Sequence, residues 1–193
     1  MNFKDLVISN RSCRNFDRER QVTREELIQM VDLARQSAAG ANVQPMKYYL
    51  VTDPVQAAAV NDLTTLAMHI KDERIPAPGK EPPSYIVICQ DLDVNDAIGR
   101  FGPDMGISGQ TITLAATEMG LAGCIVGNFD AEKIAALLDL PDNFHVLLVI
   151  AIGEPAEERR IVEIDEGEPT VYYRENGIHV VPKRKLKNVI INY

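Results

Sequence analysis

The sequence predicts a single domain of mixed helices and strands, on three observations. Its 193 residues suit one domain with ample length for a buried core. Residues 85–89 (YIVIC) and 146–152 (VLLVIAI) are continuous apolar runs of strand length, the mark of strands buried on both faces. Between them, residues 102–130 open with a helix of about four turns starting near Asp104, with Met105, Ile112, Ala115, Ala116 and Met119 at helical spacing.

That helix organises the rest. Ile107, Leu114 and Leu121 point away from the first stripe, so apolar groups fall nearly all round and a buried helix is expected. A second stripe is small: Gly106, Gly109, Thr113, Ala116 and Gly120. Each glycine inside a helix costs roughly 1 kcal/mol against alanine. Close approach of another backbone or of a flat ligand is the usual return for that cost. Gly120 is placed to end the helix in a left-handed turn. Residues 124–126 then read as a short buried strand, and Gly123 to Gly127 leaves bare backbone amides beside it.

Upstream, Phe3–Ser9 is a short amphipathic helix. It runs into Asn10-Arg11-Ser12-Cys13-Arg14-Asn15-Phe16, where Arg11, Ser12 and Arg14 can converge on an anion, since an arginine fork matches phosphate geometry. The plainer reading is a solvated basic strand. Thr23 and Glu26 form a capping box for a helix to about Ser37. Residues 38–45 make a turn of small residues with two amides, Asn42 and Gln44, and a proline stop. Residues 48–52 are a strand. Asp53 and Pro54 then start a helix expected to run to about Ile70. Residues 71–84 hold four prolines among many charges and are expected to form a flap without regular structure.

Downstream, Asp130 caps a helix through Leu138, and residues 146–152 form the central strand. From Ala156 charges become dense. Short strands are expected at 161–164, 171–173 and 178–181. The tail, residues 186–193, carries Val189, Ile190 and Ile191 and needs a surface to lie on, for which a partner subunit is the candidate.

Composition narrows the function. With 46% hydrophobic and 25% charged residues the chain is ordinary globular material, not disordered. A net charge of −8 argues against nucleic acid and anionic membranes as partners. The basic residues cluster in 11–20 and 183–187, a distribution that suits a small anion. The 3 cysteines, Cys13, Cys89 and Cys124, form no CxxC and sit in apolar surroundings, as expected of reduced, buried thiols in a cytoplasmic protein. No run approaches the roughly 18 apolar residues of a membrane span, and residues 1–9 lack the apolar stretch of a signal peptide. There is no GxGxxG, no GxxxxGKS/T, no GxSxG and no HExxH, and His69, His145 and His179 stand isolated, so no metal site is expected.

Five segments in this order resemble the nitroreductase-like FMN oxidoreductases. NRSCRNF resembles their Arg-Ser-x-Arg motif. Residues 38–45 resemble their Pro-Ser-x-x-Asn-x-Gln-Pro turn, and the helix opening at Asp104–Gln110 resembles their dimer helix. GLAGCIVG is similar to their strand behind the flavin, and Val181-Pro182-Lys183-Arg184 to their C-terminal basic segment. The resemblance spans essentially the whole chain, in the family's compact form.

The resemblance implies an α+β fold whose mainly antiparallel central sheet is flanked by helices. It implies a single domain over residues 1–193, with 156–193 forming short strands and a C-terminal arm that extends over the partner subunit. It implies a homodimer with FMN at its interface and ping-pong electron transfer. NADH or NADPH would reduce the flavin, and a small planar acceptor such as a nitroaromatic or a quinone would take its place. Arg11, Ser12, Lys183 and Arg184 map to phosphate and ribityl contacts, and Arg14 to the cation near flavin N1 and O2. Val126 and Gly127 map to backbone facing the ring, and Ala39, Asn42 and Gln44 to the turn from the other subunit. No protein acid, base or nucleophile is implied, because the flavin carries the chemistry. A flavin-binding sensor or storage dimer with little turnover is the alternative. The chain departs from the pattern at Asn10, where arginine is common, at Ala38-Ala39, which replaces Pro-Ser, and at Met46, where an aromatic often follows.

Overall fold

The structure, a computed structural model, describes residues 1–70 and 72–192. Lys71, the first residue of the expected flap, and Tyr193, the last of the tail, lie outside the described residues. In chain order the elements are α1 (Phe3–Ser9), β1 (Phe16–Asp17), α2 (Arg24–Arg35), β2 (Met46–Val51), α3 (Pro54–Asp62), β3 (Ser84–Asp91), α4 (Gly102–Glu118), β4 (Ala122–Val126), α5 (Ala131–Leu137), β5 (Phe144–Pro155), β6 (Arg159–Ile164), β7 (Tyr173–Glu175) and β8 (Ile178–Arg184).

β5 is the hub. It pairs antiparallel with β3 along one side and with β4 and then β1 along the other, and β2 pairs antiparallel with the far edge of β3. Strand alternation explains the apolar runs. Tyr85, Val87, Cys89, Val149 and Ala151 pack on one face of the sheet with Val60 of α3 and Ile134 of α5. Ile86, Ile88, Leu148, Ile150 and Ile152 pack on the other with Leu27 and Met30 of α2 and Ile112 and Ala116 of α4. A sheet covered on both faces needs an apolar residue at every position, which is the pattern read in 85–89 and 146–152. The α+β class and the antiparallel main sheet are as expected. A second, three-stranded sheet lies outside that scheme: β8 pairs parallel with β6 and antiparallel with β7.

Local signals set most boundaries. Thr23 Oγ1 accepts from the Glu26 N–H at 3.2 Å while the Glu26 carboxylate accepts from the Thr23 N–H at 2.8 Å, which completes the capping box of α2. Asp53 and Asp130 cap α3 and α5 more simply, each carboxylate accepting from one backbone N–H, of Gln56 and of Lys133. Gly120 has φ +79° and ends α4 as expected.

Three expectations need correction. α3 stops at Asp62 instead of near Ile70, because Thr64 leaves the helix to bridge Phe129 and the Thr65 N–H donates to Asn128 O at 2.9 Å. α2 likewise ends at Arg35, short of Ser37, and Ala38 is exposed. The strand expected at 171–173 is shifted to Tyr173–Glu175, next to the turn at Asn176-Gly177. The segment expected to lack regular structure forms no helix or strand over residues 72–83, and it is tethered: the Ala77 N–H donates to Asn15 Oδ1 at 2.8 Å, and the Phe16 N–H to Lys80 O at 3.0 Å.

The small stripe of α4 divides in two. A Cβ on Gly109 would sit 3.3 Å from Leu148 Cδ2 and 3.4 Å from Ile125 Cδ1, so that glycine lets the helix lie close on the sheet. A Cβ on Gly106 would meet nothing within 4 Å, and its neighbour Ile107 is 38% exposed. In one copy of the chain α4 is therefore not buried all round.

Candidate cofactor site

The site begins with how the segment between α1 and β1 is held. The Cys13 N–H donates to Gly123 O at 3.1 Å, which lays this segment along β4. Cys13 turns into the core and is fully buried. Asn10 is buried too, and its Nδ2 donates to Thr113 Oγ1 of α4 at 3.0 Å. Arg11, Ser12 and Arg14 are left lining a cavity of about 240 Å³. β8 closes its other side, and period-two alternation puts His179, Val181 and Lys183 on that wall. Gln110 and Thr113 of α4 and Gly123 and Ile125 of β4 complete most of the lining.

This cavity carries three cations, Arg11, Arg14 and Lys183, and no carboxylate among its lining residues. None of their charged groups pairs with a carboxylate within the described residues. The Arg11 guanidinium donates to Val7 O at 2.7 Å, and its Nε is buried with no partner. Burial and then the neighbouring Arg159 lower its pKa, so positive charge is concentrated here against its own repulsion. Uncompensated cations and an orphaned donor are what an anion-binding pocket presents before its ligand arrives.

Arg14 is the best-held of the three. Its N–H donates to Glu157 Oε1 at 2.6 Å. Its Nη1 lies 2.9 Å from His179 Nε2, and its guanidinium lies 4.4 Å from the Tyr172 ring centroid. Tyr172 also packs on His179, at 5.2 Å between centroids, and edge-on against His69 at 5.7 Å. Glu157 accepts from Asn15 Nδ2 at 2.8 Å and pairs with Arg174 of β7. Burial pushes the Glu157 carboxyl up, but the bonds from Arg14, Asn15 and Arg174 outweigh it and hold the net pKa below the usual range.

A second cavity of about 520 Å³ adjoins the first and shares Arg14, Ile125 and Tyr172 with it. Cys124, Val126, Gly127 and Asn128 line it on one side, and residues 65–69 on the other. A Cβ on Gly127 would meet nothing within 4 Å, so this backbone is open. All three cysteines are buried, and burial raises the pKa of Cys13 and Cys89 to about 12.

The turn after α2 lies apart. Ala39 and Gln44 line a third cavity, of about 210 Å³, beside Asp104 and Ser108 at the opposite end of α4 from Thr113. Ala41, Asn42 and Gln44 all have positive φ, at 48°, 55° and 55°. The Asp104 carboxylate pins this strained turn by accepting from the Gly40 N–H at 3.0 and 3.2 Å. Asn42 is exposed. Arg184 follows Lys183 on β8, does not line the first cavity, and is exposed.

So one chain gathers Arg11, Ser12, Arg14 and Lys183 around one cavity and Val126 and Gly127 around its neighbour. It holds Ala39, Asn42 and Gln44 elsewhere. Sequence reading missed Tyr172, His179 and Gln110. The signal for His179 was available, because His179, Val181 and Lys183 alternate along one strand face.

The chain is thus an α+β domain with a doubly covered antiparallel sheet and a cationic cleft between its N-terminal segment and a C-terminal strand. The chain belongs to the nitroreductase family: the model of that family matches residues 7–154, ending within β5. It is 25% identical over 191 residues to the oxygen-insensitive NADPH nitroreductase of Helicobacter acinonychis (strain Sheeba), the alignment covering 80% of this chain and 88% of that protein. It is also similar to a crystal structure of a nitroreductase family protein from Clostridium difficile 630, at 27% identity and TM-score 0.63 over 81% of this chain and 86% of the other. A protein from Exiguobacterium sibiricum 255-15 crystallised in complex with FMN shares the fold at 15% identity, with TM-score 0.67 over 81% of this chain and 90% of that one.

Proposed function

We propose that this chain is an FMN-dependent oxidoreductase that passes electrons from NADH or NADPH to a small planar acceptor such as a nitroaromatic or a quinone. The observation that carries this reading is the cavity with three unpaired cations and no carboxylate in a chain of net charge −8. Membership of the nitroreductase family and the relatives' names support it.

The residues present fit FMN. Its phosphate carries nearly two negative charges, and Arg11, Ser12 and Lys183 offer donors of the right type, including the orphaned Arg11 Nε. The adjoining cavity, with bare backbone at Gly127, gives a flat ring a place to lie along β4. Bound FMN would supply the redox chemistry. Arg14 lines both cavities and places a cation where the phosphate side meets the ring side.

A second copy of the chain completes the site in this reading. Gly106 and Ile107 leave an apolar, close-approach face on α4, and Val189, Ile190 and Ile191 of the tail are exposed. A homodimer would cover both and would bring the partner's turn around Ala39, Asn42 and Gln44 to the flavin. The C-terminal arm would lie over the partner. Among the described residues no helix is long and apolar enough to cross a membrane.

The test is an absorption spectrum of the purified protein incubated with FMN and desalted, followed by anaerobic NADH or NADPH. A retained flavin spectrum that either nucleotide bleaches is expected. A colourless protein overturns the reading. Retained flavin that neither nucleotide bleaches leaves a flavin-binding dimer without turnover.

A further inference from the structure

We propose that His179 is a positioning residue that fixes the Arg14 guanidinium for the bound flavin, an inference resting on the function proposed above. The family match ends at residue 154, yet the segment beyond it lends the cavity Tyr172, just before β7, and His179, Val181 and Lys183 of β8. That segment is stapled to the N-terminal one. Arg159 Nη1 donates to Arg11 O at 2.9 Å, the Ala156 N–H donates to Asn15 O at 2.9 Å, and Glu157 holds the Arg14 N–H.

Arginine has only donors, so at 2.9 Å from Arg14 Nη1 the His179 Nε2 is an acceptor and its ring is neutral. The ring proton then sits on Nδ1, which is buried and has no partner among the described residues. His179 is 1% exposed, and an unmet buried donor is a cost. An apolar side chain would avoid it. What the imidazole gains is the bond to Arg14. Tyr172 presses the opposite constraint, lying against both the guanidinium and the imidazole. One N–H and one face of the guanidinium are therefore committed to the C-terminal sheet. Its remaining donors are held in fixed directions beside the two cavities it lines. A long, flexible cation without this clamp would have to be ordered by the ligand itself, at the ligand's expense in affinity.

Three measurements on the full-length protein test this. In long-range nitrogen–proton spectra of the wild type near pH 7, with or without flavin, His179 should carry its proton on Nδ1. A proton on Nε2 overturns the clamp, since Arg14 could not then donate to it. Next, the FMN dissociation constant is read by flavin fluorescence for His179→Gln, whose Oε1 can accept in place of Nε2, and for His179→Phe, which cannot. The glutamine variant should stay within about twofold of wild type and the phenylalanine variant should weaken about tenfold, the worth of one charge-assisted bond. Equal constants for the two variants overturn the proposal. Finally, with Arg14→Ala in place, His179→Phe should add nothing further, and an additive loss overturns action through Arg14. If the wild type binds no FMN, the function proposed above fails, and the spectra alone decide the clamp.

Discussion

Asn10 and Thr113 stand 103 positions apart in sequence and share a buried hydrogen bond of 3.0 Å, Nδ2 to Oγ1. Thr113 also bounds Gly123: a Cβ on that glycine would come within 2.8 Å of Thr113 Cγ2. The pair thus joins the N-terminal segment, α4 and β4 behind the cationic cavity. Asn10 commits its side-chain amide to this brace. Removing Thr113 Oγ1 strands the buried Asn10 Nδ2, whereas removing Asn10 leaves Thr113 Oγ1 its bond to Gln110 O at 3.1 Å. Asn10→Ala and Thr113→Val should each cost about 1–3 kcal/mol in urea denaturation, and the double variant less than the sum.

Gly153 of the sheet and Gly106 of α4 should respond in opposite ways. A Cβ on Gly153 would lie 2.7 Å from both Phe16 Cδ1 and Pro83 Cδ. Gly153→Ala should therefore destabilise by about 1–3 kcal/mol through overpacking. Gly106→Ala meets open space in one copy of the chain and should raise helix stability by roughly 0.5–1 kcal/mol. If that face seats a second copy, the same change should weaken self-association in sedimentation equilibrium.

Acid should find His179 before it finds the capping box. Burial first, then Arg14, lowers its pKa to about 4 from an ordinary 6.5, with Glu157 opposing and Arg174 and Arg159 assisting. Between those values the unfolded chain binds a proton that the folded chain refuses. The stabilisation is full above about pH 6.5, is lost on acidification to about pH 4, and is level below that. It amounts to roughly 3 kcal/mol at most. Glu26 is held down to about 2, by the Arg20 bond first, so its share is lost lower, between about 4.5 and 2. Denaturation midpoints measured from pH 7 to 4 should fall in the wild type and fall less in His179→Gln.

The cavity walls make a prediction about charge. Arg11→Ala and Lys183→Ala should each weaken FMN binding about 10- to 100-fold while leaving riboflavin, which lacks the phosphate, nearly unaffected. Arg184→Ala should change FMN binding little, because Arg184 lies off the cavity. Equal losses with FMN and riboflavin would place the phosphate elsewhere.

Much of this was legible in the chain itself. Strands buried on both faces announce themselves as unbroken apolar runs, and caps such as Thr23–Glu26 depend on side chains three positions apart. Arg11, Ser12 and Arg14 are close in sequence, so their convergence rests on one short stretch of backbone. The end of α3 was not legible, because Thr64 gives up a helical turn for a bridge to Phe129, 65 positions away.

The sequence by itself determined the mix of helices and strands, the capped helices and the N-terminal basic segment, because each rests on periodicity or on neighbours within a few residues. Only the tertiary structure decided that His179 and Tyr172 hold Arg14, and that Ala39, Asn42 and Gln44 stand apart from Arg11 within one copy. Those relations span more than a hundred residues or cross an entire helix. They are set by which strand faces which when the sheets pack, and no local pattern encodes that.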